Sequence, residues 1–186
     1  MGKNNCSDEM LFEETVASEK IFEGRVFEVE LKDIKTSEGR MAKREIVKHP
    51  GGACILPMDD EGNCYFVKQF RSPFEKVMLE APAGKLEKGE APIDCVAREI
   101  TEETGFVAHK IESVGCIAAT PGYCSEIISI FIGTDLEFTG GDPDQNEYLA
   151  TVKMPLKEAL EMAENGQITD GKTLVLIYKA ARRLGI

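Results

Sequence analysis

Glu90, Arg98, Glu99, Glu102 and Glu103 fall between Gly84 and Gly105 in the run GKLEKGEAPIDCVAREITEETGF, at intervals that suit metal and phosphate chemistry. Pro92 fits a first helical turn, where its missing N–H has no intrahelical partner, and Gly105 fits a helix stop that needs positive φ. The segment between them is predicted to be a helix of about three turns. At helical spacing Ile93, Val96, Ala97 and Ile100 gather on one side, and Glu99, Glu102 and Glu103 on another. Like charges three and four residues apart repel by a few tenths of a kcal/mol per pair, so helix stability does not call for this arrangement. Divalent cations do: carboxylate oxygen is the hard ligand that magnesium and manganese prefer, with substrate phosphates and waters completing the shell. A solvated acidic face is the ordinary explanation for three glutamates on an arbitrary helix. Nine specified positions at fixed spacing over 23 residues favour the metal.

The elements that must hold such a helix fit a chain of 186 residues, 42% hydrophobic, which is enough for one well-buried domain. Residues 1–19 are polar and acidic without periodicity, and are expected to fray or to form an edge element. From Ile21 a period of two sets in, with Phe27, Val29 and Leu31 on one face of a strand. Ser37-Glu38-Gly39 turns the chain into a returning strand, Ala42 to Val47, so 20–50 is expected to be an antiparallel ribbon. Within 51–186, strands are expected at Ala53 to Pro57, Cys64 to Phe70, Val77 to Glu80, Ile111 to Ala119 and Glu126 to Thr134. Helices are expected at Pro155 to Asn165 and Lys172 to Leu184.

A net charge of −11 argues against nucleic acid as a partner, since phosphate neutralisation needs a basic face. No run of about 18 apolar residues spans a bilayer, and MGKNNCSDEMLFEET lacks the apolar core of a signal peptide. Gly2 is followed by Cys6 where a myristoylation signal has Ser or Thr. The six cysteines contain no C-x-x-C pair and mostly sit in apolar stretches, as small core residues in a reducing compartment do; a cytoplasmic location is expected.

The run from Gly84 to Phe106 resembles the box of the Nudix hydrolases, which use divalent metals to cleave nucleoside diphosphates linked to another group. REIVKHPGGACILP from Arg44, VKQFRSP from Val67 and LEAPAG from Leu79 look like the segments before the box in the ADP-ribose pyrophosphatase subgroup. Pro121, sixteen residues beyond Gly105 within TPGYCSE, is a further mark of that subgroup. The resemblance runs from about residue 20 to the C-terminus. It implies an α/β Nudix fold, an α/β/α sandwich with a mixed sheet, plus an N-terminal antiparallel β ribbon that pairs across a homodimer. The implied reaction is hydrolysis of ADP-ribose to AMP and ribose 5-phosphate with two or three Mg2+ ions, Mn2+ being an alternative.

Residue by residue, the resemblance implies that Glu99 and Glu103 are metal ligands together with the backbone carbonyl of Ala83, and that Glu102 reaches a further ion. Gly84, Glu90, Arg98 and Gly105 hold the loop and helix in position. Glu147, in GDPDQNEYLA, matches a loop glutamate placed over the metals, and with Glu102 it is a candidate general base. Arg71 matches an arginine near the diphosphate, and a forked cation suits phosphate oxygens. Arg44 and Glu45 match positions that contact the nucleobase or terminal ribose, sometimes from the second subunit. Members of the subgroup also stack adenine on aromatic rings; with no Trp in the chain, Phe27 or Tyr123 would have to serve. The same chemistry on GDP-mannose or ADP-glucose is the alternative substrate choice. A nucleotide sensor without turnover is the alternative from another class, disfavoured by the complete set of acids and by the lack of a basic helix-turn-helix segment.

Overall fold

A computed structural model describes residues 8–140 and 148–186. They divide into two compact units, the first formed by the described residues up to Pro50 with Thr120–Glu126, the second by Gly51–Ala119 with Ile127–Ile186.

In the first unit a short helix, α1 (Asp8–Leu11), precedes three strands: β1 (Glu13–Glu23), β2 (Glu28–Thr36) and β3 (Met41–Lys48). They form an antiparallel sheet in the order β1-β2-β3. The expected ribbon is therefore three strands wide, and its outer strand begins inside the stretch expected to fray or form an edge. Every residue of β1 is exposed, so neither face imposes the alternation by which a half-buried strand is recognised. The strand expected to run on from Ile21 is broken by a turn at 24–27, closed by the Gly24 N–H donating to the Phe27 carbonyl at 3.0 Å. Residues 120–126 lie beside β3, where the Val47 N–H donates to the Tyr123 carbonyl at 2.8 Å and the Ser125 N–H to the Val47 carbonyl at 2.9 Å.

The second unit is built around β4 (Gly52–Pro57), buried along its whole length. It pairs antiparallel with β7 (Ala83–Lys85) and parallel with β9 (Ile127–Phe138), and β8 (Phe106–Ala118) completes a mixed sheet in the order β7-β4-β9-β8. A second, antiparallel sheet has the order β10-β5-β6, from β5 (Asn63–Arg71), β6 (Lys76–Glu80) and β10 (Ala150–Pro155). A continuous apolar strand such as β4 must be covered on both faces. Cys54 and Leu56 join one core cluster with Phe66, Ile130 and the helices α3 (Leu156–Glu164) and α4 (Gly171–Leu184). Ala53 and Ile55 join the other, with Phe131 and residues of α2 (Pro92–Thr104). Helices thus cover both faces of the sheet, as an α/β/α sandwich requires.

α2 starts with Pro92 in its first turn and stops at Gly105, whose φ of 76° lies in the left-handed region and whose N–H donates to the Thr101 carbonyl at 2.9 Å. Its packing face differs from the one expected. Ile93 and Ala97 are exposed, whereas Cys95, Val96, Ile100, Glu103 and Thr104 are buried. Full burial of Val96 and Ile100 contributes about 2 kcal/mol each, and it turns Glu99 and Glu103 toward the protein rather than away from it. Cys54, Cys64 and Cys95 are buried thiols, Cys124 is half-buried and Cys116 exposed. No helix among the described residues is long and apolar enough to cross a membrane.

Candidate functional site

The corner Glu80–Ala83, between β6 and β7, meets α2 on one side and the start of α4 on the other. On the α2 side the Ala83 N–H donates to Glu103 Oε2 at 3.1 Å. Gly84 allows the closest approach of all. A methyl group added there would lie 1.6 Å from Glu99 Oε1 and 2.0 Å from its Cδ, so any other residue displaces the Glu99 carboxylate. The local sequence explains the geometry, because burial of Cys95, Val96 and Ile100 sets the rotation of α2 and brings Glu99 against the glycine.

Arg98 binds three of the acids. Its Nε donates to Glu90 Oε1 at 3.1 Å, and its Nη1 donates to Glu99 Oε1 at 2.7 Å and Glu102 Oε2 at 3.0 Å. Glu90 in turn accepts the Glu87 N–H at 2.9 Å, which ties the loop after Gly84 to the helix. Arg98 and this N–H hold the Glu90 carboxyl below its usual range, and the same acids, Glu90 first, push the Arg98 guanidinium up. Behind them the Cys95 thiol faces the carbonyls of Gly84 and Lys85, and burial raises it to about 12, so it stays protonated at neutral pH.

The donors suit a hard divalent cation. Glu99 and Glu102 already share one cationic group, and Glu103 stands beside the Ala83 main chain. Among the described residues no three acid, imidazole or thiol groups yet converge at ligand distance, since Glu103 is turned to the Ala83 N–H and the other two to Arg98.

On the α4 side lies a cluster in which Arg71 alone carried an expected role. Glu80, 2% exposed at its side chain, takes the Arg71 guanidinium side-on: Nε to Oε1 and Nη2 to Oε2, both at 2.7 Å. Lys172 reaches Glu80 Oε2 and also Asp170 Oδ1 at 2.9 Å. Asp170 caps α4 by accepting the Thr173 N–H at 3.0 Å, and Thr173 Oγ1 accepts the Ala81 N–H at 2.7 Å. Burial pushes the Glu80 carboxyl up, but Arg71 and Lys172 outweigh it and hold the group at about 2. Burial likewise pulls the Lys172 ammonium down, and Asp170 and Glu80 more than offset that. Glu80 and Arg71 stand in the sequence within LEAPAG and VKQFRSP, but nothing there joins them to Lys172 and Asp170.

The structure thus brings Ala83, Gly84, Glu90, Arg98, Glu99, Glu102 and Glu103 together, with Gly105 ending the helix that carries the acids and Arg71 joined to the same corner through Glu80. Arg44 and Glu45 lie on β3 of the first unit, where Arg44 pairs with Glu13 and Glu45 is exposed. Phe27 lines a shallow groove of that unit with Arg25, Lys48 and His49, and Tyr123 is exposed. Glu147 lies outside the described residues.

Residues 48–175 match the NUDIX domain family. The chain is 39% identical over 169 residues to an ADP-ribose pyrophosphatase of Bacillus subtilis (strain 168), covering 90% of this chain and 91% of that one. It is 37% identical over 170 residues to a methanol dehydrogenase activator of Bacillus methanolicus, covering 90% and 92%. The crystal structure of an ADP compounds hydrolase superposes with a TM-score of 0.80 over 92% of this chain and 93% of that one, at 20% identity, which is a likeness of fold.

Proposed function

From the premise that the chain belongs to the Nudix family, we propose that it is a hydrolase that cleaves the diphosphate of ADP-ribose to AMP and ribose 5-phosphate. The observation that carries the chemistry is the Glu99 carboxylate lodged against Gly84, with Glu102 and Glu103 on the same helix and the Ala83 main chain beside them. The likeness to a named ADP-ribose pyrophosphatase over nine-tenths of both chains supports the substrate.

Glu99, Glu103 and the Ala83 carbonyl would hold divalent metal, Mg2+ or Mn2+ in two or three ions, with Glu102 on a further ion. Such ions neutralise a diphosphate and lower the pKa of an attacking water. The residues of the chain do the rest. Arg98 holds the Glu99 and Glu102 carboxylates in register, and Glu90 fixes Arg98 to the loop. Arg71, with its Nε edge on Glu80, presents its Nη1 edge to phosphate oxygens. Glu147 or Glu102 removes the proton from the water.

Arg44 and Glu45 would contact the nucleobase or terminal ribose, and Phe27 or Tyr123 would supply the stacking surface. The exposed Val16, Ile21 and Phe22 of the outer strand β1 support pairing of the N-terminal sheet, with 20–50 as the dimerisation element, across a homodimer; 51–186 is the hydrolase domain. A cytoplasmic location accords with three buried free thiols.

The test is a kinetic panel of ADP-ribose, ADP-glucose and GDP-mannose with magnesium. The highest kcat/KM is expected for ADP-ribose; a clear preference for a hexose nucleotide would keep the reaction and change the substrate.

A further inference from the structure

We propose that Lys172 is a positioning residue for the diphosphate: it fixes the Glu80 carboxylate, and Glu80 in turn aims the Arg71 guanidinium. This rests on Arg71 being the phosphate-binding arginine of the proposed reaction. The sheet register does not by itself bring Arg71 to Glu80, because Arg71 stands opposite Lys76 and Glu80 opposite Val67. The Arg71 side chain must therefore stretch along the strand to reach its partner, and the partner must be held still to receive it.

Lys172 supplies that restraint. A carboxylate gripped by one fork can swing about its Cγ–Cδ bond and carry the guanidinium with it, because a side-on pair stays coplanar. A second donor on Oε2 stops the swing. Lys172 occupies that place, and is itself held by Asp170, the residue that caps α4. Thr173, one residue on, binds the Ala81 N–H, so a single helical turn fixes both the arginine and the backbone that leads to Ala83. The set is balanced, with Glu80 and Asp170 against Arg71 and Lys172. Apolar residues of similar volume commonly serve stability as well as a buried ion pair does, so stability does not account for so costly an arrangement. Orientation of a charged group at the edge of a site does.

Two readouts on the full-length protein test this. The first is the Arg71 side-chain Nε–Hε cross-peak, assigned by its loss in Arg71→Lys and recorded without substrate. It is expected to shift or broaden in Lys172→Met and to stay near its place in Lys172→Arg; an unchanged peak in Lys172→Met overturns the proposal. The second is a double-mutant cycle on ADP-ribose turnover. Lys172→Met is expected to raise KM roughly tenfold with kcat within about threefold, and to add less than about twofold once Arg71 is Ala. An effect of equal size in both backgrounds means that Lys172 acts on something other than Arg71, and overturns the proposal as well. Lys172→Ala, which removes the donor and leaves room for water beside Glu80, takes the place of Lys172→Met if that variant does not fold. If the wild-type protein leaves ADP-ribose intact, the substrate assignment fails by itself, and the cross-peak still decides whether Lys172 holds Arg71.

Discussion

The two sides of the Glu80–Ala83 corner carry charge in opposite ways. On the α2 side one arginine serves Glu90, Glu99 and Glu102, and a fourth acid, Glu103, rests on a main-chain N–H. On the α4 side two acids face two cations. A surplus of carboxylates beside a glycine that only permits their approach suits the divalent metal of the proposed reaction. A balanced, enclosed set marks a support. The two differ in what each should do when a charge is removed: chemistry should fail on the first side, and stability and orientation on the second.

The largest expected effect breaks the α2 side. Glu103→Gln keeps an oxygen for the Ala83 N–H, so the thermal midpoint should stay near wild type while magnesium-dependent turnover falls by roughly two orders of magnitude. Circular dichroism and steady-state kinetics check both halves. Gly84→Ala comes next, since its methyl would overlap Glu99. A loss of roughly tenfold or more is expected, with half-saturation displaced to higher magnesium in a metal titration.

Glu80→Gln probes the α4 side. It leaves Arg71 and Lys172 without their shared carboxylate, and denaturant unfolding at neutral pH should show a loss of about 3 kcal/mol. The pH dependence has a definite sign. Glu80 is held at about 2 against an ordinary 4.5, so it binds its proton less readily in the folded state than in the unfolded one. Its stabilisation, of the order of 3 kcal/mol, is complete above the ordinary value and is lost as pH falls from there through the folded value. Wild-type unfolding curves should show this acid loss, and Glu80→Gln should lack that portion of it. The smallest effect is expected at the exposed pair of Arg183 with Glu112, where Arg183→Ala should leave the unfolding midpoint unchanged within error.

The α2 side was open to sequence reasoning because its residues are local. Pro92 and Gly105 bracket one helix, and acids three and four apart on a helix are neighbours whatever surrounds them. Which face that helix buries was not local. The exposure of Ile93 and the burial of Glu103 depend on where β4 and β9 stand. The Glu80–Lys172 contact joins residues 92 positions apart and leaves no periodic mark. β7, three residues long, and β10, which ends where a helix begins, exist through pairing with β4 and β5, and neither alternates clearly enough to be read alone. For β1 the opposite reason applies: with no buried face, nothing in its composition separates an edge element from a frayed end.

Metal-dependent cleavage of ADP-ribose by the acids of α2 is decided by product chromatography. Purified wild-type protein and Glu103→Gln are incubated with ADP-ribose and magnesium, each with and without a chelator. AMP and ribose 5-phosphate from the wild type alone, abolished by the chelator, is the predicted result. Intact ADP-ribose in every sample, or equal product from both proteins, would contradict it.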